Sequence, residues 1–169
     1  MIEYAPTRGS VSIQMRALWD SHVLRTRMFL LDPMPTKYHD LMNNQREIGE
    51  AWGSFYGSVS GTRLARILME HIDHVRMYAF GRARARDRAL RMFFANAEQM
   101  AWALTRDNPR LSRRAVLALI REHLALTKRE IDEIMSGGSG LSVWEGVEQN
   151  AREIAGALAN GIADHLRLP

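Results

Sequence analysis

Apolar residues recur along nearly the whole chain at spacings of three and four, and no stretch alternates like a strand. The pattern predicts a helix from about Ser10 to Leu31, with Met15, Leu18, Trp19, His22, Thr26, Phe29 and Leu30 inward. Pro33 and Pro35 stop it, and Thr36 is the expected N-cap of a second helix over about Lys37–Phe55. Gly49 and Gly53 make that helix the one expected to be most irregular, since each weakens it by about 1 kcal/mol relative to alanine. A third helix is predicted from about Ser60 to Phe80, with Leu64, Ile67, Leu68, His71, Val75 and Tyr78 inward. The fourth opens at "GRARARDRALR" and runs to about Arg106 through Leu90, Phe93, Phe94, Ala97, Ala101 and Leu104. Ser112 caps a fifth helix reaching about Met135. After the flexible "SGGSG", Ser142 is the expected cap of a sixth, with Trp144, Val147, Ile154, Leu158 and Ile162 inward. Short loops between long amphipathic helices imply antiparallel neighbours. The fold class is therefore all-α, an up-and-down bundle of about six helices, four or five of them long, in one domain spanning 1–169.

Three segments share one pattern: "LWDSHVLRTR" from Leu18, "ILMEHIDHVR" from Ile67 and "LIREHLALTK" from Leu119. Each places a histidine on the apolar stripe of its own helix: His22, His71 and His123. A weaker echo, "GVEQNAREIA", has Asn150 in the histidine place. Inward positions of different helices in a bundle can converge. Three neutral imidazoles with an open fourth position recur as catalytic zinc sites, and imidazole also suits iron, copper and nickel. If the three rings build one site, their nitrogens should approach within roughly 3–5 Å, the separation of ligands about 2.0–2.1 Å from one ion. Glu98, Glu148, Asn150 and His74 are the auxiliary candidates. Thr26 and Thr127, four residues after His22 and His123, lie within reach of an imidazole N–H, and Glu130 shares the face of His123. Against this stands a second reading, in which the three histidines share a polar network or descend from one duplicated hairpin and bind nothing.

Composition removes several alternatives. There is no cysteine, which excludes disulfides and thiolate chemistry and fits a cytoplasmic protein. No apolar run is long enough for a membrane span, and the N-terminus does not read as a secretory signal. The net charge is +4, and all but two of the 23 basic residues are arginine. Arg82, Arg84, Arg86, Arg88 and Arg91 spread around most of their helix and have no interleaved aromatic platform, so they read as a solvated helix start and argue against nucleic-acid binding. The methionines read as core filler. Gly-rich phosphate loops, Gly-x-Ser-x-Gly elbows and zinc-protease helices are absent. Tyr38, Trp52, Phe55 and Tyr56 form an aromatic face on the second helix that would serve either as a homodimer surface or as a lid on the core.

Taken in order, "LWDSHVLRTRMFL", "YGSVSGTRLARILMEHI", "FFANAEQMAWALTRDNP" and "REHLALTKREI" resemble a family of small bacterial helical proteins with no settled activity. Its members read Leu-Trp-x-x-His-Val-x-x-Thr-Arg, Glu-His-Ile, Asn-Ala-Asp/Glu and His-Leu-x-Leu-Thr-Lys, and carry transferred names such as glycosyltransferase or acetylglutamate kinase. The resemblance implies that His22, Glu70, His71, Asn96, Glu98 and His123 occupy recurrent polar positions. The family has a further histidine in the last helix, where this chain has Asn150, which counts against a four-histidine site. The three-histidine bundles related to the DinB proteins are a more distant, fold-level analogy. The sequence thus points first to a metal-binding bundle holding a divalent transition metal, and second to a cofactor-free scaffold of the same fold.

Overall fold

The computed structural model describes residues 5–169. It contains six α-helices: α1 (Arg8–Leu31), α2 (Pro35–Tyr56), α3 (Ser58–Phe80), α4 (Ala83–Asp107), α5 (Arg113–Met135) and α6 (Leu141–Leu166). No strand occurs among the described residues, as the periodicity predicts. Each helix packs on its sequence neighbours, and α1 packs on α6, so the bundle closes into a ring. Helix α5 also touches α1 and α3 across the interior, which brings the three odd-numbered helices together at the centre.

The ends of the helices explain where sequence expectations shift. Thr7, ahead of the expected start, caps α1 in a reciprocal box with Ser10. Helix α2 begins at Pro35 with Met34 as its cap, not at Thr36: a proline at the first helical position has the right φ and lacks only an N–H that would be unbonded anyway. Ser112 caps α5 as expected, accepting from the Ala115 N–H. Helix α6 starts one residue before Ser142, with left-handed Gly140 as its cap, and the Ser142 hydroxyl donates instead to Glu133.

Helix α2 is continuous, contrary to the expected irregularity. Its glycines answer to packing. A Cβ on Gly49 or on Gly61 would collide with backbone of the facing helix, so α2 and α3 approach more closely than side chains permit. Trp52 on this helix is 1% exposed, and Phe55 and Tyr56 pack against the same core, so these residues cover the interior.

One core expectation reverses. Phe94, read as inward, is 38% exposed, while its neighbour Phe93 is 1% exposed and stacks on His71 with ring centroids 4.9 Å apart. In the arginine run, Arg82, Arg84, Arg88 and Arg91 are exposed. Arg86 is half-buried, lying over the Tyr78 ring and beside Asp132.

Replacing Phe93 with alanine should cost about 3–5 kcal/mol in chemical denaturation, because it empties a buried aromatic site. The same change at Phe94 should cost less than about 1 kcal/mol. Equal costs would show that the register of α4 is wrong.

Candidate functional site

The three histidines of the repeated pattern converge. His22 comes from α1, His71 from α3 and His123 from α5, and one ring nitrogen from each lies within 4.8 Å of the others. The ring centroids form a nearly equilateral triangle, 6.2 Å from His22 to His71, 5.6 Å from His22 to His123 and 6.2 Å from His71 to His123. All three rings are buried. The expected separation of roughly 3–5 Å is met.

The surroundings differ on the two sides of this triangle. One side is apolar, formed by Trp19, Leu68, Met100, Ile120 and Ile154. The Trp19 ring stands edge-on to His22 and His123, at 5.6 and 6.4 Å. The other side is polar. A narrow crevice there is bounded by the three histidines, Val23, Thr26, Thr127, Glu130 and Val147. It leaves no room for a molecule the size of water. Glu130 is 1% exposed and accepts from Arg27 at 2.6 Å. Arg27 also donates to the Ser139 carbonyl in the glycine-rich loop and lies over the Trp144 ring. Arginine, loop and tryptophan together close the polar end.

Helix α2 and the other even-numbered helices contribute carboxamides. The side-chain N–H of Asn44 donates to the Leu18 carbonyl at 3.1 Å, that of Asn96 to the Ile67 carbonyl at 3.1 Å, and that of Asn150 to the Leu119 carbonyl at 3.2 Å. Leu18, Ile67 and Leu119 each lie four residues before the histidine of their helix. The molecule is thus three helical hairpins, each supplying one histidine and one asparagine in the same relation. Asn150, read from the sequence as a degenerate histidine, is instead the third member of this asparagine set. Asn44 and Gln45, neither of which the sequence reading singled out, are fully buried and both bear on the His22 ring. Their signal was present: they occupy the same stripe as Leu41, Ile48 and Trp52, where polar residues need a reason.

The remaining auxiliary candidates lie elsewhere. Glu98 sits at the surface between Arg113 and Arg121. Glu148 is half-exposed beside Arg152. His74 points its Nδ1 at the Glu70 carbonyl one turn back on its own helix. Glu70 pairs with Arg66 at the surface.

Comparison with protein-family models, with curated proteins and with solved structures found no match for the chain.

Burial dominates the electrostatics. Desolvation, reinforced by the charge His123 would carry, pushes His22 down to about 3. Desolvation pushes His123 down to about 4, partly opposed by the Asn150 carboxamide. His71 lies well below its ordinary value, by burial first and then by the neighbouring histidines. Near neutral pH all three rings are uncharged, the state in which imidazole binds metals.

These shifts set the acid stability of the metal-free protein. Unfolded histidine titrates near 6.5. Below that value the unfolded chain takes up protons that the folded protein refuses. Stability is therefore fully present above pH 6.5 and falls as pH drops toward 4, by up to about 1.4 kcal/mol per pH unit for each ring. Burial raises the Glu130 carboxyl, which opposes the trend by holding a proton in the folded state. Urea titrations between pH 7 and 5 should show this loss, and His71→Phe should make it shallower. A flat profile in the wild type would contradict neutral buried rings.

Proposed function

We propose that the protein is a metal-binding bundle in which His22, His71 and His123 hold one divalent transition ion. The observation that carries this is the convergence of three buried imidazole nitrogens within 4.8 Å. Ligands about 2.0–2.1 Å from an ion at tetrahedral angles stand about 3.3 Å apart, so each ring needs to move inward by less than about 1 Å. The three rings are uncharged and close together, and a lone pair left without a donor in a protein interior costs about 1–3 kcal/mol. An ion removes that cost without protonating any ring. A nitrogen-only donor set suits zinc, iron, copper and nickel. The narrow void favours keeping an ion over turning over an organic substrate in this conformation.

The protein should bind about one equivalent of Zn²⁺ or Co²⁺ per chain when prepared without a histidine tag. Cu²⁺ or Co²⁺ should quench the Trp19 fluorescence, because that ring lies against two of the ligands. His71→Ala should abolish binding and quenching while leaving the helical circular dichroism largely intact. Stoichiometric binding that survives His71→Ala would place the ion elsewhere. No binding by the folded wild type would leave the cofactor-free scaffold as the better reading.

A further inference from the structure

The ability of three imidazoles to share one ion depends on which nitrogen of each ring carries the proton. A ligand nitrogen must be bare, so its partner in the ring must hold the hydrogen and needs an acceptor. Among the buried polar atoms that lack a partner are the Nδ1 atoms of His71 and His123 and the Oδ1 atoms of Asn96 and Asn150. A donor and an acceptor are therefore unmet in each of the second and third hairpins. Unmatched buried groups of this kind are rare, and in each of these hairpins the asparagine is anchored to the carbonyl one turn below the histidine whose Nδ1 is unmet. The Asn150 and Asn96 amides are themselves held by their N–H bonds to Leu119 and Ile67, which fixes where each oxygen sits. The first hairpin differs: Asn44 is anchored in the same way to Leu18, but its Oδ1 accepts from Gln45, and Gln45 Nε2 stands 3.1 Å from His22 Nδ1 as the donor to that ring.

We propose that Asn96 and Asn150 are positioning residues, each accepting the Nδ1–H of the histidine in its own hairpin and so turning the bare Nε2 atoms of His71 and His123 toward the centre. The inference rests on the metal-binding reading for its purpose, but the proton placement exists without any ion. These two hairpins then carry the same device: an odd helix supplies the ligand, an even helix supplies the acceptor, and a backbone carbonyl one turn below the ligand locks the acceptor. An asparagine suits this better than an aspartate in the metal-free protein, because it accepts the hydrogen without burying a charge.

Protein labelled with ¹⁵N at histidine, free of metal at pH 7, tests the proposal through long-range proton–nitrogen spectra, which distinguish the two neutral tautomers. His71 and His123 should both show protonated Nδ1 and bare Nε2. Asn150→Leu should shift His123 toward protonated Nε2 or a mixture, while His22 and His71 keep their pattern. It should also weaken Zn²⁺ binding by about 10- to 100-fold, and Asn150→Asp should restore most of that loss. Protonated Nε2 in wild-type His71 or His123 overturns the proposal, as does a folded Asn150→Leu protein whose His123 tautomer is unchanged. If Asn150→Leu fails to fold, the wild-type spectrum decides alone. Protonated Nδ1 in a protein that binds no metal would sustain the positioning and overturn only the metal-binding reading.

Discussion

The interior of this bundle is organised around a conflict between burial and polarity. Three imidazoles meet where the odd-numbered helices converge, and all three are buried. Desolvation forbids them to charge, and their mutual proximity adds to the penalty. They must be neutral, and a neutral imidazole always has one donor and one acceptor to place. Asn96 and Asn150, on even-numbered helices, are the acceptors inferred for His71 and His123, while the Gln45 amide meets His22.

The threefold repetition follows from the same need. One hairpin brings one histidine and one carboxamide. Three hairpins closed into a ring bring three imidazoles to one point, since α5 also reaches α1 and α3 across the interior. The apolar layer under the imidazoles, built by Trp19, Leu68 and Ile120, holds the rings from one side. On the other side the Arg27–Glu130 pair and the glycine-rich loop form a polar closure. A buried ion pair of this kind contributes little net stability, and breaking it by removing one partner is expensive. Its position over the void makes it the place where entry to the centre would begin.

Much of this was legible in the sequence. A histidine among leucines, repeated three times at matched positions, announced both the stripe it belongs to and the point where the stripes meet. Thr26, Thr127 and Glu130 followed from helical spacing alone. The asparagines were harder. Asn150 looked like a lost histidine because it lies on an even helix, where it relates to Asn44 and Asn96 and not to the histidines. Its true relation is set by hydrogen bonds to another helix, which periodicity does not record. Glu98 and Glu148 failed for a related reason. Both sit at the edge of a stripe, where a fraction of a turn decides between the interior and a surface arginine. Phe93 and Phe94 present the same ambiguity for packing, and Gly49 and Gly53 were read as weak points of a helix when they face Gly61 at the contact that lets two helices touch.

The most direct test of the central claim is an anomalous difference map from crystals of the untagged protein grown with Zn²⁺. The account predicts one strong peak in the core, about 2.0–2.1 Å from a nitrogen of His22, His71 and His123 alike. Peaks confined to surface groups such as His39, with none among the three buried rings, would contradict it.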